Sequence, residues 1–118
     1  MVDMSDTPAG MIARLDAALG RRGETVIVRR YTAPSGTPRP KTDITVTASV
    51  RAIKAEELIG ELDMAASVVV LSPTGLASLL PLRKGDKIDV QGRERNIELP
   101  RPILVQNTLV RINLMVAG

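Results

Sequence analysis

The chain has no histidine, no cysteine, no tryptophan and no phenylalanine, and Tyr31 is its one aromatic residue. Without imidazole or thiol it lacks the usual general base near neutral pH, the two strongest transition-metal ligand types, the thiol nucleophile and any disulfide. Without aromatics, its core must be built from Val, Ile, Leu, Met and Ala, and little remains for stacking on bases or sugars. Long apolar runs are also missing. The run 68–71 is far shorter than the roughly 20 residues a membrane-spanning helix needs, so no membrane partner is expected. Residues 1–23 carry Asp3, Asp6 and Asp16 where a signal peptide would be basic and then apolar, and the expectation is a soluble intracellular chain or one assembled into a particle.

What is present is ordinary in amount and uneven in distribution. At 118 residues, 44% hydrophobic and 25% charged, the chain suits one domain with a modest core. The net charge of +3 is mild, and acids are interspersed with most of the bases. Arg21, Arg22, Arg29, Arg30, Arg39 and Lys41, however, fall in one stretch whose only acid is Glu24. If those side chains converge, one surface is positive.

Asp6 or Thr7 can cap a helix with Pro8 in its first turn, and Met11, Ile12, Leu15, Ala18 and Leu19 follow at helical spacing. Gly20 or Gly23 would end it, which makes residues 1–23 an N-terminal helical segment ahead of a β domain over 24–118. The helix offers one apolar stripe to a sheet and leaves Arg14, Asp16, Arg21 and Arg22 in water. The β-branched residues of 24–31 predict a strand, and strict alternation over 44–53 predicts another, with Ile44, Val46, Ala48, Val50 and Ala52 on the dry face. Residues 67–72 read as a strand apolar on both faces, and 55–62 and 74–80 as short helical turns. In 83–99, Gly85, Asp86 and Gly92 mark the turns of a hairpin with Ile88 and Val90 pointing inward. A closing strand over about 104–116 turns Val110, Ile112, Leu114 and Val116 inward. The fold expected is mainly β, a small antiparallel barrel of SH3-like or OB-like type with an N-terminal helix and one or two helical turns.

Between the first two strands lies the stretch 32–43, TAPSGTPRPKTD, whose four-fold proline and glycine content excludes helix and interior strand. At roughly 12 residues it lies at the upper limit of ordinary connections, where loops are commonly functional or disordered. Pro34, Ser35, Gly36, Thr37, Pro38, Arg39, Pro40 and Lys41 form the candidate loop for meeting a partner or lining a channel.

No catalytic pattern stands out. Ser72 has no base nearby in sequence, Ser35 lies in a proline-rich loop, and 20–23 lacks the Lys and Ser or Thr of a phosphate-binding loop. Glu56, Glu57, Glu61 and Asp63 cluster, but such runs are ordinarily solvated, as are Arg93, Glu94 and Arg95. No enzyme activity, cofactor or metal is expected.

The order of parts resembles a known family. MIARLDAALGRRGE, ITVTASVRAIKAEELIGEL, SVVVLSPTGL, PLRKGDKIDVQGRERNIEL and LVRINLMV, with "ELIG" at 57–60 and the "KGD…GR" hairpin at 84–93, are similar to the head–tail joining proteins of tailed phages, the head-completion or stopper subunits of the neck. The resemblance implies a small barrel in a homo-oligomeric ring, hexamer or dodecamer, docked between the portal or adaptor ring and the tail proteins. Such a subunit continues the DNA channel, helps retain the packaged genome, and touches double-stranded DNA weakly and without sequence preference. It implies assembly in the bacterial cytoplasm, for a phage, prophage or gene transfer agent, and a location in the virion neck. The loop at 32–43 is the part that would enter the channel. Two other readings are an SH3-like or OB-like nucleic-acid-binding module of a cellular protein, which would use the basic 21–41 stretch, and an adaptor that binds a protein through a sheet edge.

Overall fold

Thr7 starts the helix. In the computed structural model, which describes residues 7–52 and 66–117, the Thr7 Oγ1 accepts a hydrogen bond from the Gly10 amide at 3.0 Å, and Pro8 enters the first turn of α1 (Pro8–Arg22). The helix ends at Gly23, whose amide donates to the Leu19 carbonyl at 2.8 Å. A Cβ at Gly23 would lie 2.5 Å from the Leu19 carbonyl oxygen and 2.8 Å from that of Ala48, so close approach excludes any larger residue there.

Six strands follow: β1 (Glu24–Tyr31), β2 (Lys41–Ala52), β3 (Ser67–Leu71), β4 (Lys87–Val90), β5 (Arg93–Val105) and β6 (Thr108–Ala117). They close into a barrel in the order β1-β2-β3-β6-β5-β4, with every neighbouring pair antiparallel. The expected fold class is therefore the observed one. The interior is aliphatic: Val28, Val69, Leu71, Ile88, Ile97 and Leu114 are all fully buried. A 3₁₀ turn (Ala77–Leu79) carries Leu76 and Leu79 into the same cluster and plugs one side.

The apolar run of β3 is explained by two cores. Val69 and Leu71 face the barrel, whereas Val68 and Val70 pack outside it with Met115 and with Leu15 of α1. Burial on both faces is what allows an unbroken run of valines. At the Gln91–Gly92 corner, φ values of 54° and 79° make a two-residue turn of the primed type, and Ile88 and Val90 point inward as expected.

Several boundaries differ from the sequence reading. Strand β2 begins at Lys41 rather than at 44, because Tyr31↔Lys41 and Arg29↔Asp43 continue the ladder into the polar residues. The loop is accordingly 32–40, and Lys41 belongs to the strand. Ala52, placed on the dry face, is exposed at the strand end. Ile53 and the helical turn expected at 55–62 lie outside the described residues.

The closing region is also rearranged. Leu104 belongs to β5, and a second two-residue turn at Gln106 and Asn107, with φ of 51° and 62°, separates it from β6. Pro100 and Pro102 are tolerated inside β5 because β4 stops pairing at Asn96, so among the described residues those prolines lie where one side of the strand has no ladder to break. Val110 is buried, but the pairs Ile103↔Arg111 and Leu104↔Leu109 leave it as the extra residue of a bulge. It lies outside the barrel cluster, and Leu109 packs on that cluster instead.

Candidate functional site

The proline-rich loop stands on a rigid foot. Its base is closed by the Thr32 amide donating to the Pro40 carbonyl at 3.0 Å, and by the Arg39 Nε donating to the Ala33 carbonyl at 2.6 Å. The Arg39 guanidinium lies 4.2 Å from the centre of the Tyr31 ring, so the single aromatic residue of the chain is engaged as a cation–π platform. Gly36 has φ of 146°, and a Cβ there would sit 3.0 Å from Pro40 Cδ and 3.1 Å from the Pro38 carbonyl, which makes glycine the residue that fits this bend. Pro34, Ser35, Gly36, Thr37, Pro38, Arg39 and Pro40 are exposed, and Lys41 is exposed on β2.

Two arginines next to each other in β1 hold this foot from opposite sides of the strand. Arg29 forks onto Asp43, Nε to Oδ1 at 2.8 Å and Nη2 to Oδ2 at 3.2 Å, with Glu94 Oε2 3.9 Å from its Nη1. The Tyr31 hydroxyl donates to the same Glu94 oxygen at 3.1 Å, and Lys41 Nζ lies 3.6 Å from Asp43. The hydrogen bonds that Arg29 donates hold the Asp43 carboxyl below its ordinary range, and the same bonds raise Arg29 further above its own.

Arg30 reaches across the barrel end. Its Nε and Nη2 donate to the two oxygens of Asp86 at 2.9 and 2.7 Å, and Nη2 also meets the carbonyls of Leu79 and Pro81, each at 3.1 Å. Asp86 accepts from the Arg83 amide at 2.9 Å as well. Burial opposes ionisation of Asp86, but hydrogen bonds from Arg30 and the Arg83 amide outweigh it, and the carboxyl is held below its usual range. Asp86 thus sits in the turn marked from sequence, beside Gly85 at φ of 99°, with a further role as the counter-ion of a residue 56 positions away.

The basic stretch 21–41 does not converge on one surface. Arg21 and Arg22 occupy the last turn of α1, Arg29 and Arg30 are ion-paired, and Arg39 lies on Tyr31. A different set of arginines does converge. Arg51, Arg93 and Arg95 line one opening of the barrel together with Val50, Ser67 and Gln91. The run Arg93, Glu94, Arg95 is therefore more than a uniform solvated face: strand alternation sends Glu94 outward to Tyr31 and Arg29, and its neighbours to the barrel mouth.

Ser72 is 7% exposed, and its hydroxyl donates to Thr74 Oγ1 at 3.1 Å, while Thr74 Oγ1 donates to Asp16 Oδ2 at 2.8 Å. Asp16 makes no hydrogen bond to Ser72, and the chain of bonds ties α1 to the 72–75 turn. Among the described residues, no group of three or more acids could hold a metal ion, and no helix is long and apolar enough to cross a membrane. Glu56, Glu57, Glu61 and Asp63 lie outside the described residues. No protein-family model matches the chain, and no curated protein matches its sequence.

Proposed function

We propose that the chain is a structural subunit of the neck of a tailed phage or phage-like particle, one member of a ring that joins the portal or adaptor to the tail. The observation that carries this reading is the form of the first hairpin: an exposed loop, 32–40, raised on a foot fixed by Arg29, Arg30, Tyr31 and Arg39. A flexible loop loses much of its contact energy to ordering, and a foot of this kind removes part of that cost. Presented around a ring, many such loops face one axis or one neighbour, and weak contacts add through effective concentration. The subunit is then monomeric alone and ordered in the particle, formed in the bacterial cytoplasm and resident in the virion neck.

Electron microscopy of particles carrying a tagged copy tests this directly. Density for the tag in a ring at the neck is the expected result; its absence from every particle sinks the reading. Deletion of 35–38 should leave the fold intact and give heads that fill but lose DNA.

The nucleic-acid-module reading keeps one observation in its favour, the arginines gathered at the barrel mouth. Submicromolar binding of an oligonucleotide at physiological salt would favour a cellular nucleic-acid-binding protein, whereas a neck subunit is expected to bind weakly and only at low salt.

A further inference from the structure

We propose that the outer face of the β5–β6 hairpin, beside α1, is a docking groove for an acidic amphipathic helix of a partner protein. The groove has a volume of about 430 Å³. Met11 and Leu15 of α1 form its wall, and Ile103, Val105 and Val110 form its floor. Ile103 is 37% exposed and, with Leu104, is one of two large hydrophobic side chains exposed among the described residues.

The bulge in β6 serves this face. Strict alternation from Ile112 would send Val110 into the barrel, but the extra residue between the pairs Ile103↔Arg111 and Leu104↔Leu109 turns it outward. Val110 is buried yet belongs to neither buried cluster, and it lines the groove instead. The helix is seated mainly by its other end: Leu19 is buried, whereas Met11 and Leu15 are half-buried and leave part of an apolar stripe open to the groove.

The chemistry of an occupant follows from the floor and the rim. The floor is a sheet face, which offers side chains and no ladder to join, so an occupant must satisfy its own backbone bonds, as a helix does. A helix laid beside α1 buries Met11, Leu15 and Ile103 under a second apolar stripe. Arg111 borders the groove and pairs with Ile103, and Arg101, two residues back along β5, stands on the same face. Both arginines are exposed, Arg111 Nε donates to Asn113 Oδ1 at 2.9 Å, and no acid occurs from 99 to 117. Carboxylates flanking the stripe of the incoming helix meet these guanidinium groups. A second copy of the chain fits less well. Two-fold pairing of the face sets Arg101 and Arg111 against like charges, and α1, with Arg14, Arg21 and Arg22 against Asp16, is a basic helix. The groove is a property of the hairpin and α1 alone and does not rest on the neck reading.

The test uses the full-length protein with labelled methyl groups on Ile, Leu, Val and Met, and two synthetic peptides of about 15 residues, roughly four helical turns. Both peptides carry the same leucine stripe; one has glutamate at every polar position and its twin has lysine. At low salt the glutamate peptide should bind at least about tenfold more tightly than the twin and shift the methyl signals of Met11, Ile103 and Val110. Arg101→Glu with Arg111→Glu should reverse that preference, and the milder Arg101→Gln with Arg111→Gln should erase it. These positions are exposed, so the variants should melt as the wild type does. Ile103→Ser should weaken the glutamate peptide by about tenfold through loss of the floor. Equal affinity for the two peptides, a preference that survives the charge reversal, or shifts confined to other residues overturns the proposal. So does an Ile103-dependent dimer in sedimentation, which would make a second copy the occupant. Peptide binding gained only when residues 1–6 are removed would make that segment the occupant and overturn it as well. Whether a tagged copy is found at the neck is a separate result, so the two readings fail independently.

Discussion

The hairpins β1–β2 and β5–β6 both project from the barrel, and they are fastened by different chemistry. The first ends in a loop that cannot organise itself, and charge holds it: Arg29 on Asp43, Arg30 on Asp86 and Arg39 on Tyr31. The second contains no acid from 99 to 117 and turns within two residues, so a long ladder and apolar contact with α1 suffice. A tight turn brings its own register, whereas a nine-residue excursion needs its ends pinned from outside. The first hairpin should therefore respond to charge and acidity, and the second to side-chain volume and turn geometry.

The largest expected effect tests the apolar side of that contrast. Ile112, 2% exposed in β6, should not tolerate Ile112→Asp: an unpaired buried carboxylate costs more than about 4–5 kcal/mol, enough to abolish the folded state by circular dichroism. A cooperative melt near that of the wild type would show that the interior face of β6 is misassigned. Next comes Asp86→Ala, which strands Arg30 among the Leu79 and Pro81 carbonyls and should cost about 3–5 kcal/mol in urea denaturation. Asp43→Ala should cost less, about 1.5–3 kcal/mol, because Asp43 is 32% exposed against 8% for Asp86 and Glu94, 3.9 Å from Arg29, still faces the buried guanidinium. Equal losses at the two aspartates would remove the distinction between a buried carboxylate and a half-exposed one.

Acid should separate the hairpins further. Asp43 and Asp86 both have folded-state pKa values below the unfolded one, so the stability they contribute is complete above about pH 4 and is lost as pH falls from there toward the folded values. Denaturation followed between neutral pH and pH 3 should show that loss in the wild type, and a smaller one in an Asp43→Asn, Asp86→Asn double variant. An unchanged slope in the double variant would place the acid sensitivity elsewhere. The smallest effect belongs to the second turn. Replacing Gln106 and Asn107 by Asn and Gly suits a corner with positive φ at both positions and should stabilise by about 0.5–1 kcal/mol, read as a raised melting temperature.

The parts legible in the sequence are those governed by local rules. Alternation over 44–50, the apolar run of β3, Thr7 before Pro8, and Gln91–Gly92 between two short strands each carry their own signal, and together they specify a barrel. The features that escaped are those set by distant partners. Pro100 and Pro102 read as the end of a strand unless it is known that β4 stops at Asn96. Gln106 is a poor marker for a turn that needs positive φ, so the closing strand expected over about 104–116 runs straight through the turn at 106–107. At the candidate site, composition located the proline loop but not its footing, because nothing near Arg30 announces Asp86. Likewise Arg51 is far in sequence from Arg93 and Arg95, and only closure of the sheet brings them to one opening.

The two prolines of β5 have a last consequence. Barrel closure consumes most backbone donors and acceptors in ladders, but β5 outruns β4 and, among the described residues, leaves one side of 99–105 without a neighbouring strand. A bare strand is ordinarily a template on which another chain can polymerise. Here the proline nitrogens carry no hydrogen, so the overhang offers carbonyls with a broken set of N–H groups. Backbone zippering along it is interrupted at Pro100 and Pro102, which shifts recognition at this end of the molecule toward side chains.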